Sequence, residues 1–590
     1  MRQRLLEGLA GLVLLAALGG QLVYGLHADG ITNDEILFVS AGYRQLALGD
    51  YRLSPTHPPL ANSLAGLGLL GMGLRVPPLD PRPGPLAWCY HFVHVENAAG
   101  AVIERARVPV VVLTLALALL VWLWARVVSG PVAGLVALAL TAFHPSIVAH
   151  GHLATTDVAG AFLTLLSAFL FWRWLEAPGL GRATAFAVAV GLGAATRLTT
   201  LLALPVFALV VLAATLTRLR RQGGSLASPA GGIPPRATLH LAAALAILVP
   251  ATLWASYGLH DAPWPEELAR RPRIHGLLAR ALDGVAATHL VPAGFVDSVR
   301  FQVEHTREGH PSYLLGERGK TGWPHYFLVA LAVKNTPGFL VALVLAPFFA
   351  LLAGRRARRL PRSGLVAASA SGVRARSLWA GIALVVLLAS SASRVQIGER
   401  YLLPLYPFVI LLLAGLATPL VAHRRGWIVL GALLALHAGP TLMAAPEGTV
   451  SYFNLLAGGR GGGHRVLLDS NLDWGQDLPR LAAWMRAEGV PSVQLAYQGS
   501  DDPDRFGIAH EDLPGDQLYP PRPPARPFDG VVAVSPSLLY GLLPRLGDPY
   551  AALRERPPDG RAGVFFIYRS RPAPPDVDGG DSKPVEARRP

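Results

Sequence analysis

Two acids stand side by side in Asn33-Asp34-Glu35, directly after a first long apolar run from Leu5 to Leu26. If that run crosses a bilayer, the pair is left at the membrane surface, where neighbouring carboxylates are costly unless they are used. Further on, Thr56-His57-Pro58-Pro59-Leu60 is a proline-stiffened turn that brings one titratable ring back to the same face. The loop therefore reads as an active site. Adjacent residues of a helix point about 100° apart, so one acid can face a cavity as general base while the other holds a structural partner. Position alone is served equally well by helix capping, since Thr32, Asn33 and Asp34 are all good N-cap types.

Asp157, in His150-Gly-His152-Leu-Ala-Thr-Thr-Asp157, lies at the mouth of another apolar run. An ionisable group there is a functional candidate because burying it unpaired costs several kcal/mol; a cap at Thr155, Thr156 or Asp157 is the plainer reading, and the two are compatible. His150, His152 and Asp157 are also conceivable ligands for a divalent metal, the less favoured option. Arg105, Arg107, Arg197 and Arg400 sit at the ends of apolar runs away from the basic loops. Snorkelling explains some of them. Arg107 and Arg197 nevertheless fall on the side of Asp34, where a guanidinium can grip a phosphate through two nitrogens. A carboxylate base and a phosphate clamp at one interface are what a lipid-phosphate-dependent transferase needs. Asp473, Trp474 and Gln476, in a late acidic loop, suit carbohydrate contact, although a strand-to-helix turn capped by Asp473 explains them equally well.

The elements that must position these residues are membrane helices. Of the 590 residues 52% are hydrophobic and 15% charged, which is the composition of an integral membrane protein. The formal charge of +14 raises the question of nucleic acid. Its arginines cluster in short loops, as the positive-inside rule requires, and no soluble basic face with interleaved aromatics is present, so nucleic-acid binding is set aside. The single cysteine, Cys89, excludes an internal disulfide framework and a cysteine-rich metal site.

Crossing roughly 30 Å of hydrocarbon takes about twenty residues. Runs of that kind occur near 5–26, 106–127, 131–148, 155–175, 183–196, 198–217, 237–257, 325–353, 377–396, 401–421 and 426–444. With the amino terminus inside, the basic, acid-free stretches at 218–236, 355–376 and 424–425 fall in the cytoplasm, and the mixed-charge loops 28–105 and 258–324 fall outside. The first run is expected to stay as an anchor. The expected architecture is a multi-pass plasma (inner) membrane domain over 1–444 with eleven spans. An extracytoplasmic α/β domain over 445–570 follows it, and 571–590 form a disordered tail. Within that second domain 464–468, 492–497, 530–534 and 563–568 read as buried strands, with a helix over 476–488 and a parallel arrangement.

The residues also carry a family resemblance. Asn33-Asp34-Glu35 with Gly49-Asp50 and His57-Pro58-Pro59-Leu60, the His152-to-Asp157 stretch and Arg400-Tyr-Leu-Leu-Pro404 resemble the polyprenyl-phosphate-dependent glycosyltransferases of GT-C fold. The branch is that of protein O-mannosyltransferases and bacterial aminoarabinose transferases, glycosyltransferase family 39. Ser312-Tyr-Leu-Leu-Gly316, Gly322-Trp-Pro-His-Tyr-Phe327 with Lys334, and Tyr452-Phe-Asn to Asp477 extend the likeness to about residues 20–570. The resemblance implies transfer of a sugar from a polyprenyl-phosphate monosaccharide to a hydroxyl of a lipid, glycan or protein acceptor, with inversion, as in protein glycosylation or cell-envelope modification. It implies Asp34 as catalytic acid with Glu35 beside it, and Asp157 in support. His57 stands where the aminoarabinose branch has a lysine near the donor phosphate, which makes its charge pH-dependent. Thr56 stands where that branch has a metal-associated glutamate, which weakens the case for a metal. The expected donor-binding set is His57, Arg107, Asp157, Arg197 and Arg400. A lipid transporter or flippase is the main alternative, and a non-catalytic lipid-carrier binding protein a third. Transporters usually bury their ionisable residues near mid-membrane in paired halves, whereas here the acids gather at one face and neither half repeats the other.

Overall fold

The computed structural model describes residues 1–80, 84–222, 233–268, 270–357 and 366–570. The expected tail 571–590 lies outside the described residues, as do parts of the two long basic loops.

Among the described residues seven helices are long and apolar enough to cross a membrane: Arg2–Ala28, Ala99–Ser129, Asp157–Glu176, Leu198–Leu216, Pro235–Ser256, Ser371–Ala392 and Arg424–Glu447. The protein is thus a multi-pass helical membrane protein. Three further expected spans are shorter apolar helices, Pro131–Ala142, Leu180–Thr196 and Tyr406–Leu420. The stretch 325–353, expected as one straight span, is a pair, Tyr326–Lys334 and Pro337–Phe348, bent by 120°. The cause is local: Pro337 lacks an N–H and pushes the chain before it out of helical geometry, and Asn335 is already extended at φ −101° and ψ 152°. Pro145 acts similarly on the stretch 131–148, which breaks after Ala142 and resumes as Pro145–His150.

The separation between 183–196 and 198–217 is present. Arg197 is extended (φ −156°, ψ 129°) and is followed by a tight turn of 3-10 helix, Leu198–Ala203. That break lifts the arginine off the helical ladder and lets its side chain reach sideways.

Beyond residue 445 the chain builds a five-stranded sheet in the order His510–Asp512, Val493–Ala496, Val531–Val534, Phe565–Arg569, Gly560–Ala562. The first three strands are parallel and the last two antiparallel, so the sheet is mixed rather than parallel throughout. A helix, Leu478–Glu488, precedes it and ends at Gly489, whose left-handed φ of 63° suits glycine. The expected strand 464–468 is absent. Gly463–Arg465 is a 3-10 turn, and Leu467 makes a lone bridge to Leu314. Its apolar residues instead fill the junction: one buried cluster runs from Trp124 and Trp379 among the membrane helices through Leu467 and Leu472 to Leu481, Leu495 and Ile567.

Candidate active site

The helix Arg2–Ala28 ends in an extended Asp29, and the chain runs from there to a second helix, Glu35–Leu48. Asp34 precedes that helix but makes no capping hydrogen bond with its side chain. The start of the helix is secured by Glu35 reaching back to Thr32, whose N–H donates at 2.9 Å and whose hydroxyl donates at 3.0 Å. Capping, one of the two readings of this tripeptide, thus falls to the Thr32–Glu35 pair, and Asp34 is left over.

Glu35 is fully buried and held face to face by Arg107, which donates Nε to Oε1 at 2.8 Å and Nη2 to Oε2 at 2.7 Å. Arg107 spends its other N–H groups on the carbonyls of Leu26, Asp29 and Gly30 at 2.7 to 2.8 Å. A guanidinium has five N–H groups, and all are engaged. Burial alone would push the Glu35 carboxyl up, but Arg107 outweighs it and holds the group below its ordinary value. These two residues correct the sequence reading. Glu35 faces no cavity and Arg107 has nothing left with which to grip a phosphate; together they are a buried brace that shapes the Asp34 loop.

Asp34 points the other way. Its side chain is 32% exposed, and Oδ2 accepts from Arg400 Nη1 at 2.9 Å. It lines a pocket of about 230 Å³ with Thr56, His57, Thr156, Arg197, Arg400 and Tyr401. Asp157, fully buried at the start of its helix, lies behind: Oδ1 accepts from Arg197 Nη1, Oδ2 accepts from the Thr155 hydroxyl at 3.1 Å, and Arg400 Nη1 is 3.5 Å from Oδ2. Arg197 also donates to the Thr156 hydroxyl at 3.1 Å. Gly160, one turn further along, leaves the space for this arginine: a Cβ there would come within 3.2 Å of its Cδ. Both guanidiniums flank the Tyr401 ring, at 5.2 and 5.6 Å from its centroid, and Arg400 also lies 4.2 Å from the centroid of Trp474. Five residues named from sequence, Asp34, His57, Asp157, Arg197 and Arg400, are thus brought together.

His57 bonds the Thr56 hydroxyl through Nδ1 at 2.9 Å and meets Phe38 edge-on. Burial, reinforced by Arg197 and Arg400, lowers its pKa to about 4, against the opposing pull of Asp34 and Asp157. The pH dependence of its charge thus falls in the acid range, and the ring is neutral at pH 7.

The late loop does not present a glycan surface. Asp473, Trp474 and Gln476 are all buried. Gln476 accepts from the Trp474 N–H at 2.7 Å and donates to the Leu472 carbonyl at 3.1 Å, and Asp473 accepts from the Gly475 N–H at 3.1 Å. Burial raises the Asp473 carboxyl to about 7. They build a turn, as the plainer reading has it, but no strand directly precedes it and the helix that follows starts at Leu478 behind Asp477, so Asp473 caps no helix.

The histidines before Asp157 are also dispersed. His152 meets Asp29 Oδ2 at 2.9 Å, and His150 stands edge-on to Trp474. Among the described residues no three His, Cys, Asp or Glu side chains gather as a metal would need. Asp34, in the pocket, and Asp157, behind it, each face a guanidinium, which is not a divalent ion's donor set.

One wall was not foreseen. Phe301, Gln302 and His305 from the helix Ala293–Glu308, together with His310, also line the pocket. The available signal was the spacing of Phe301 and His305, one turn apart, in a loop read only as long and mixed in charge. Larger hollows lie at the sheet edge by Val493 (about 660 Å³) and beside Asp50 and His260 (about 640 Å³). Neither is lined by two guanidiniums facing a part-exposed acid.

A match to one family model agrees with the resemblance. No curated protein matches the sequence. Among solved structures, ArnT from Cupriavidus metallidurans bound to undecaprenyl phosphate aligns over 94% of this chain and 97% of its own at 14% identity, with a TM-score of 0.44. The Saccharomyces cerevisiae protein O-mannosyltransferase Pmt1-Pmt2 complex bound to the sugar donor aligns over 42% of this chain and 33% of its own at 19% identity, TM-score 0.30. The Archaeoglobus fulgidus oligosaccharyltransferase aligns over 88% and 59% at 14% identity, TM-score 0.39. Residues 87–254 match the family model described as dolichyl-phosphate-mannose-protein mannosyltransferase, and the chain resembles the GT-C glycosyltransferases of family 39.

Proposed function

We propose that the protein is a membrane glycosyltransferase that moves a sugar from a polyprenyl-phosphate monosaccharide to an acceptor hydroxyl, with Asp34 as general base. The observation that carries this reading is the pairing of a part-exposed Asp34 with two guanidiniums, Arg197 and Arg400, that the fully buried Asp157 holds in place. The match over residues 87–254 to a family that takes mannose from a lipid phosphate supports it.

As the acceptor oxygen bonds to the anomeric carbon, its proton passes to the Asp34 carboxylate. The bond from that carbon to the phosphate oxygen breaks, and its electron pair leaves on the lipid phosphate. The carbon is attacked from the face opposite the departing group in a single displacement, so its configuration inverts. Arg197 and Arg400 stabilise the charge that gathers on the phosphate. Arg400 meets the carboxylates through Nη1 alone and also lines the pocket. The same residue can therefore orient the base and take up the leaving group. A phosphate leaves without protonation, so no general acid is needed.

We place the reaction on the extracytoplasmic side. The helix Arg424–Glu447 starts with the basic pair Arg424-Arg425, and Glu447 at its other end leads into the segment that packs on the site, so the basic residues belong to the opposite face.

The test is incubation of the purified protein with labelled polyprenyl-phosphate mannose, glucose and aminoarabinose in membrane extract, following the label. Asp34→Asn is expected to slow transfer about 10²- to 10⁴-fold while lipid binding persists. Transfer at an undiminished rate would remove Asp34 from the chemistry, and no transfer from any donor by the wild type would overturn the assignment.

A further inference from the structure

Asp34 and Arg400 are 366 residues apart in the chain and come from separate elements. What sets their spacing is a third segment, the turn at 469–476. On one side it holds the Asp34 loop: the Asn33 N–H donates to the Trp474 carbonyl at 2.9 Å and the Gly30 N–H to the Gln476 carbonyl at 2.8 Å. On the other side it holds the turn that carries Arg400. The Glu399 N–H donates to Asn471 Oδ1 at 2.8 Å, and the Ser470 hydroxyl donates to the Ile397 carbonyl at 2.7 Å. The fit at that second contact is close, since a Cβ on Gly398 would lie 2.3 Å from the Ser470 hydroxyl oxygen.

Trp474 belongs to both contacts. Its carbonyl fixes the residue before Asp34, and its ring lies under the Arg400 guanidinium at 4.2 Å. The ring is itself held, 4% exposed, against Ala149, Leu153 and Val450. It does not line the pocket.

We infer that Trp474 is a positioning residue, the shared seat that sets the distance between the acid and the arginine of the transfer reaction, and that the segment after 445 completes the active site. This rests on the glycosyltransferase reading. An aromatic face under a guanidinium aims the cation, and a displacement of about 1 Å at such a pair costs on the order of 10²-fold in rate. A leucine keeps the backbone carbonyl and much of the volume but has no aromatic face. A phenylalanine keeps both the carbonyl and a face.

The experiment compares Trp474→Leu and Trp474→Phe in the full chain, each alone and combined with Arg400→Ala, by transfer kinetics and by thermal midpoint in detergent. Trp474→Leu is expected to lower kcat about 10- to 100-fold with the acceptor KM little changed, and Trp474→Phe to recover most of that loss at the same thermal midpoint. In the Arg400→Ala background Trp474→Leu should add nothing. Equal losses for Leu and Phe, an unchanged kcat for Leu, or losses that multiply with Arg400→Ala would each overturn the inference. If Trp474→Leu does not accumulate folded, Asn471→Ala, which frees the Glu399 N–H, takes its place with the same expectation of no added loss on Arg400→Ala. None of these outcomes touches transfer by the wild type or its loss in Asp34→Asn, so failure here leaves the proposed function standing, whereas no transfer by the wild type overturns both.

Discussion

At the scale of single residues, two adjacent acids have opposite fates. Glu35 is locked to Arg107 and Asp34 is left open, and the difference is which way each leaves the start of one helix. Breaking the brace should therefore damage folding before chemistry. Glu35→Gln leaves Arg107 buried with one carboxylate fewer, and an orphaned partner of a buried pair costs about 3 to 5 kcal/mol; a fall in thermal midpoint and in folded yield is expected and is measured by thermal unfolding in detergent. Because Arg107 holds the folded-state pKa of Glu35 below its value in the unfolded chain, this stabilisation is complete above about pH 4.5 and is lost as pH falls through the folded value. His57 behaves as a desolvated neutral ring. Its pKa falls from 6.5 to about 4, so the unfolded chain takes up a proton that the folded one refuses, and stability drops as pH goes from 6.5 toward 4. His57→Gln should flatten that slope in a pH series of thermal midpoints, and, whatever it does to the absolute rate, leave the shape of the pH–rate profile between pH 7 and 9 unchanged. The residue types of this site were legible in the sequence; their pairing was not. Nothing in Asn33-Asp34-Glu35 says that Arg107 belongs to Glu35, because the two meet across 72 positions of chain and through carbonyls that no side-chain pattern encodes.

At the scale of elements, the site is made by interruptions. Arg197 reaches Asp157 because one helix stops at Thr196 and the next turn is 3-10, and that extended residue is held by Thr200, whose N–H and hydroxyl both donate to the Arg197 carbonyl, at 3.0 and 2.8 Å. Thr200→Val removes the hydroxyl at nearly constant volume. It should cost about 1 kcal/mol of stability and lower kcat several-fold, both measured on the purified variant; a stability loss with unchanged kcat would show that the backbone bond alone suffices. The break at Thr196-Arg197 was readable because an arginine interrupts two apolar runs. The bend at Asn335-Thr336-Pro337 was readable for the same reason: Lys334-Asn335-Thr336-Pro337 puts a charge, two polar side chains and a proline in the middle of the run 325–353. The stretch 464–468 misled in the opposite sense: its leucines are apolar because they plug the seam between bundle and sheet, and periodicity cannot separate that from a strand.

At the scale of the whole molecule, the division at residue 445 that composition suggests does not coincide with a division of the core. Lys334, at the bend among the membrane helices, donates to the carbonyls of Val450 and Asn471 at 2.9 and 2.6 Å, and Arg480 bridges Asp29 and Asp477 at 2.8 and 2.6 Å. A chain ending at 444 would leave the Lys334 ammonium and the Asp29 carboxylate buried and short of partners. Such a truncation is expected to yield little folded protein by size-exclusion chromatography and no transfer; a monodisperse, active 1–444 would refute the joint core. The fold class was legible because twenty-residue apolar runs have few structural solutions in a membrane. How the late segment docks was not, since its contacts are carbonyls and lone polar side chains scattered across the chain.

The cavity beside Asp34, at about 230 Å³, is smaller than the roughly 300 to 1,000 Å³ typical of ligand clefts. If the proposed transfer takes place in that cavity, a donor carrying one sugar should be consumed faster than one carrying a preassembled chain, a ranking that competition between the two in membrane extract reads out.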